Sequence, residues 1–82
     1  MRLGNVIEGL TIFRKYFTGE DGYHLTAVDS AVLVYGTDTP MSDEDVEAVK
    51  ELGWFQPDAQ RPEGVDQRDA PYDPNEYWKA WL

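Results

Sequence analysis

Between Ser42 and Phe55 the chain reads SDEDVEAVKELGWF, and this stretch narrows the fold more than any other. Ser42 stands where an N-cap oxygen accepts from backbone amides, and Asp45 three residues later gives a short-armed version of a capping box. Asp43, Glu44 and Asp45 set negative charge against the positive end of a helix dipole. At about 100° per residue, Val46, Ala48, Val49 and Leu52 fall on one arc, and Asp43, Glu44, Glu47 and Glu51 on another. Gly53 supplies a C′ residue, and Trp54 and Phe55 follow as large apolar anchors. A helix with one apolar arc needs a sheet or a second helix to cover, so the rest of the chain is read for what it lies on.

The 82 residues allow one domain with one core. Three Trp, five Tyr and three Phe supply more large side chains than a disordered polymer carries. Cysteine is absent, which removes disulfides, thiolate metal sites and cysteine nucleophiles together and points to the cytosol. Gly4, Asn5, Glu8 and Gly9 interrupt the apolar character of the N-terminus, so no signal peptide is read there. The longest uninterrupted apolar run, Ala31 to Tyr35, is far too short for a membrane span. The net charge of -9 opposes direct binding to nucleic-acid phosphate. That charge is uneven: residues 1 to 36 carry three basic and four acidic groups, a net of -1, whereas residues 37 to 82 carry four basic and twelve acidic, a net of -8.

Taken in order, Met1 to Glu8 leaves strand and irregular structure open. Gly9 to Phe17, GLTIFRKYF, is rich in β-branched and aromatic residues, and its apolar groups on both faces read as a central strand or one covered on each side. Thr18 to Gly22, TGEDG, reads as a turn. Tyr23 to Val28 alternates as a second strand with Tyr23, Leu25 and Ala27 inward, Asp29 and Ser30 form a two-residue turn, and Ala31 to Tyr35 is a third strand. Connections this short imply an antiparallel meander. Gln56 to Tyr72 holds Pro57, Pro62 and Pro71 among many charges and reads as a linker or a long ordered loop. Asp73, Pro74 and Glu76 form a second helix-start signal, placing Tyr77, Trp78, Trp81 and Leu82 on one arc of a short C-terminal helix. The expected fold is thus α+β: a three-stranded antiparallel meander packed by one amphipathic helix within residues 1–55, a proline-rich acidic loop or linker at 56–73, and a short aromatic helix at 74–82.

His24 is the only histidine. With no cysteine beside it, and no residue placed to orient it as a general base, it reads as a strand-surface side chain. Neither a calcium-loop spacing nor a phosphate-cradling glycine loop occurs, and no metal or other cofactor is expected. The row Asp43, Glu44, Glu47 and Glu51 has two readings, a solvated helix surface or a line of negative charges that imitates nucleic-acid phosphate and enters a basic groove on another protein. Glu47 lies four residues from both Asp43 and Glu51, so these like charges repel by a few tenths of a kcal/mol per pair, a cost that a cationic partner would offset. Tyr77, Trp78 and Trp81 divide similarly between core and contact, since Trp and Tyr dominate protein-binding anchors.

The run GLTIFRKYF, the short strand AVLVYG and the helix SDEDVEAVKELGWF together resemble small acidic proteins of tailed bacteriophages and prophages, in which a β-hairpin with an aromatic-rich strand precedes an acidic helix ending in LGW. The resemblance spans about half of the chain, excludes residues 56 to 82 and carries no catalytic motif. It implies an anti-defence role of the anti-CRISPR or DNA-mimic type in the cytoplasm of a bacterial host. The expected function is therefore non-enzymatic: binding and inhibition of a host protein with a basic surface, such as part of a nucleic-acid-handling defence complex. The alternative is a structural or assembly module that forms a homodimer through its C-terminal aromatics, and a small carboxylate enzyme is the third class.

Overall fold

The computed structural model, which describes residues 1–18 and 24–82, contains two helices and a three-stranded antiparallel sheet, an α+β arrangement. Helix α1 spans Leu3–Arg14, strands β1 and β2 span Leu25–Val28 and Ala31–Val34, helix α2 spans Asp43–Glu51, and strand β3 spans Trp78–Trp81. The sheet order is β1-β2-β3. Leu25 faces Val34 across the first pair, and Val34 faces Trp78 across the second. Cross-strand partners share a face, so Leu25, Ala27, Val32, Val34, Trp78 and Ala80 line one side of the sheet, where the last four are buried and Leu25 and Ala27 are exposed. The buried cluster joins Val32, Val34, Trp78 and Ala80 to Phe13 of α1, Val46 and Val49 of α2, and Trp54 and Met41.

The β1–β2 hairpin forms as its sequence dictates. Asp29 takes a positive φ of 49°, a conformation that Asp tolerates better than most non-glycine residues, and Ala31 begins the return strand. The turn read over Thr18 to Gly22 lies outside the described residues except for Thr18, whose N–H donates to Asp38 Oδ2 at 2.8 Å. Tyr23 also lies outside them.

Two assignments are corrected. Gly9 to Phe17 is not a strand; its first six residues complete α1, which begins at Leu3. Val6, Leu10, Phe13 and Phe17 recur at helical spacing, and only the helix lets Phe13 and the Gly9 backbone meet Trp54 together. The sheet keeps the sequential antiparallel order of a meander, but its strands are Leu25–Val28, Ala31–Val34 and Trp78–Trp81, so one of them comes from the far end of the chain. Residues 74–82 do not form a helix. Asp73 Oδ1 accepts from the Asn75 N–H at 2.9 Å and closes a turn, after which Trp78 and Ala80 face the core while Lys79 lies on the opposite side with Trp81. Fewer than ten residues after Pro74 cannot sustain a helix without tertiary support, whereas β2 offers a full ladder to a strand.

Residues 56–73 are an ordered loop with one 3₁₀ turn at Gln67–Asp69. Its organiser is Gln56, the buried polar residue of the core, whose amide donates to the carbonyls of Asp73 at 2.7 Å and Glu76 at 3.1 Å and accepts from the Asp73 N–H at 2.9 Å. Gln67 in turn donates to the carbonyls of Gln56 and Ala59, both at 2.8 Å. Two glutamine side chains thus satisfy loop backbone groups that no sheet or helix reaches. Among the described residues, no helix is long and apolar enough to cross a membrane.

Candidate functional site

Helix α2 is held at both ends. At its N-terminus Ser42 Oγ accepts from the Asp45 N–H at 3.2 Å. The Asp45 carboxylate does not reach back to the Ser42 N–H as in a complete capping box. That amide donates instead to the Tyr16 hydroxyl at 3.1 Å, and the Tyr16 hydroxyl donates to Asp45 Oδ2. Lys15 Nζ lies 2.8 Å from the same oxygen. At the C-terminus Gly53, with φ of 105°, donates to the Lys50 carbonyl, and the Trp54 N–H donates to the Val49 carbonyl, both at 3.0 Å. These two bonds make a Schellman closure and turn Trp54 and Phe55 into the core.

The Lys15 hydrogen bond, followed by that of Tyr16, holds the Asp45 carboxyl below its ordinary value of 3.8, and the Asp45 hydrogen bond raises the Lys15 ammonium above 10.5. A depressed carboxylate contributes stability that is complete above its unfolded value and is lost as pH falls through the folded one. A raised ammonium contributes below its unfolded value and loses this as pH rises through the folded one. The pair therefore acts in full between about pH 4 and pH 10. Lys15 is more than half exposed, so solvent screening keeps the contribution of the ion pair small. Urea titrations at pH 7 and pH 3 should show Asp45→Asn losing less stability between the two than wild type does. An unchanged acid loss would mean that Asp45 is not coupled to folding.

Of the residues singled out in the sequence, Asp43, Glu44, Glu47 and Glu51 are all exposed on α2. Asp43, Glu47 and Glu51 follow one another at about 6 Å of helical rise. Among the described residues none of the four takes part in an ion pair. Lys50, the basic residue of this helix, is turned away from them and donates to the Ala70 carbonyl at 2.9 Å.

The three aromatics are not brought together on one face. Trp78 is 1% exposed and stands in the core, and Trp81 is 50% exposed on the opposite side of the sheet with Lys79 Nζ 3.9 Å from its ring centroid. Tyr77 is half-buried, and its hydroxyl is pushed up by burial and then by a hydrogen bond with Asp58. His24 is half-buried and stacked on Phe17 with 4.1 Å between centroids. Its Nε2 finds no partner among the described residues. No group of three or more His, Asp or Glu able to hold a metal ion occurs among them. Reading by composition missed Tyr16, which fixes the start of α2, because a tyrosine cap from another element has no local sequence signature.

The architecture defines a small α+β domain whose outward features include an acidic helix. Neither protein-family models, nor curated proteins, nor solved structures match this chain.

Proposed function

We propose that this chain is a non-enzymatic protein that binds and inhibits a partner protein through the acidic face of α2, with Asp43, Glu44, Glu47 and Glu51 as the contact row. The observation that carries the reading is that four exposed carboxylates, without ion partners among the described residues, sit on a helix fixed at both ends. A row fixed in advance costs little further ordering when a cationic groove closes on it. Charge steers the encounter, so capture weakens as salt rises.

The partner class that fits is a protein with a basic surface, such as a nucleic-acid-handling defence complex in a bacterial cytoplasm. That setting follows from the resemblance of AVLVYG and SDEDVEAVKELGWF to small acidic phage and prophage proteins, because phage genomes hold small acidic inhibitors of host defence, anti-CRISPR proteins and DNA mimics among them. The part of that likeness placed on GLTIFRKYF as a strand gives no support, since this run is largely helical.

Affinity capture from a bacterial lysate at low and high salt tests the proposal. Wild type should retain a basic protein at low salt and release it at high salt, and the double variant Glu47→Lys with Glu51→Lys should lose at least ten-fold in retention while keeping its melting curve. Equal retention by the charge-reversed protein would sink the contact row. The second reading, a module that self-associates through C-terminal aromatics, is favoured by the exposure of Trp81 alone, since Trp78 is committed to the core.

A further inference from the structure

The end of α1 and the start of α2 are joined by a polar clasp that extends beyond a helix cap. Tyr16 is half-buried, with its ring packed against the core, and its backbone is held as well. Its N–H donates to the Phe13 carbonyl at 2.9 Å, and its own carbonyl accepts from the Asp38 N–H at 3.1 Å. Asp38 is tied back in turn, because its Oδ2 accepts from the Thr18 N–H at 2.8 Å and lies 3.3 Å from Thr18 Oγ1. The Tyr16 hydroxyl is thereby fixed at the first turn of α2. There it accepts from the Ser42 N–H, donates to Asp45 Oδ2 and lies 3.1 Å from Ser42 Oγ.

The Ser42 groups stand at an exposed helix start, where water would satisfy them as well as a tyrosine does. The hydroxyl therefore adds little net stability. What water does not supply is direction. A phenol ring anchored in the core holds its oxygen at one point, and three polar atoms at the start of α2 converge on it. With nine residues, α2 is too short to keep its shape by helix propensity alone. Its second half is fixed by the buried Val49, by Trp54 beyond it and by the Lys50 bond to the Ala70 carbonyl. Of its first turn only Val46 is buried, and Asp43 and Glu44 are exposed.

We propose that Tyr16 is a positioning residue for the acidic row, setting where Asp43 and Glu44 stand relative to Glu47 and Glu51 without itself touching a partner. This rests on the reading of that row as a contact surface. With the hydroxyl in place the first turn is closed, and the four carboxylates form one array that is ordered before a basic partner arrives. Without it the first turn opens more often, and Asp43 and Glu44 leave the array while Glu47 and Glu51 stay. The net charge is the same in both cases, so long-range attraction persists and the close contact is lost. The effect therefore falls on dissociation rather than on association.

Tyr16→Phe tests this, since it keeps the ring and removes only the hydroxyl. In the free protein, amide hydrogen exchange at Asp45, Val46 and Glu47 should quicken about ten-fold, while that at Leu52, Gly53 and Trp54 stays within about two-fold and the melting curve stays near wild type. Retention of the basic protein captured from a bacterial lysate at low salt should fall about five-fold. A double-mutant cycle separates positioning from a structural role: Asp43→Asn with Glu44→Gln should weaken retention in the wild-type background and add nothing in the Tyr16→Phe background. Exchange that is unchanged, or that quickens alike at both ends of α2, overturns the clasp. Additive losses in the cycle overturn the positioning role even where exchange behaves as expected. If Glu47→Lys with Glu51→Lys is retained as wild type is, the contact row itself fails and the positioning role falls with it, while the exchange result still reports whether the clasp exists.

Discussion

Trp78→Ala is expected to cost about 3–5 kcal/mol of stability, the range for removing a large aromatic from a packed core. A domain of this length has about 4–12 kcal/mol in total, so the variant should be partly or wholly unfolded at room temperature. The indole is 1% exposed, tilted against Phe13 with 5.6 Å between centroids and stacked on Tyr72 at 6.0 Å. It faces Val34 across the β2–β3 pair, so its loss opens a cavity where the strand, both helices and the loop meet. Trp81→Ala, three residues on, should cost only about 1–2 kcal/mol, because it removes a half-exposed ring and one surface cation–π contact. Chemical denaturation of the two variants side by side checks this. Equal losses would mean that the two tryptophans share a face after all.

Gly9→Ala should be the second most damaging of these changes, although the same substitution in an exposed helix would be favourable by about 1 kcal/mol. A Cβ on Gly9 would stand 2.1 Å from Trp54 Nε1 and 2.7 Å from Cε2. The indole has nowhere to retreat, being buried with Phe13 edge-on at 5.0 Å. Overpacking of this kind costs about 1–3 kcal/mol and here exceeds the gain in helix propensity. The atoms in the way belong mainly to the five-membered ring, and its N–H finds no hydrogen-bond partner in this contact. Trp54→Phe removes those atoms. The double variant Gly9→Ala with Trp54→Phe should therefore be more stable than the sum of the two single losses predicts, and simple additivity in a double-mutant cycle would show that the ring and Gly9 do not press on each other.

These two positions also show where local sequence reasoning reached its limit. The β1–β2 hairpin and α2 were legible because their signals are local: a two-residue turn between apolar runs, and a helix whose cap, arcs and glycine stop lie within fourteen residues. For GLTIFRKYF local preference and final structure conflict. Its β-branched and aromatic content favours a strand, and the flat contact between Gly9 and Trp54, forty-five residues away in sequence, makes it a helix. WKAW carried a two-residue alternation of its own, but the helix-start signal of Asp73-Pro74 and Glu76 outweighed it on local grounds. Of the candidate contacts, the acidic row on α2 was readable from its spacing. The separation of Trp78 from Trp81 was not, because helix and strand distribute the same residues over different faces.

By itself the sequence determined the acidic helix with its cap and Schellman stop, the hairpin beside it, the polarity of the loop and the uneven charge. Each depends on residues within a few positions of one another, where backbone preference and periodicity decide. Only the tertiary structure decided that the N-terminal segment is a helix, that the sheet takes its third strand from the C-terminus, and that one tryptophan is core and the other surface. Those outcomes depend on burial shared between distant residues. The apolar surface that Phe13, Trp54 and Trp78 remove from water together outweighs the local preference of each segment.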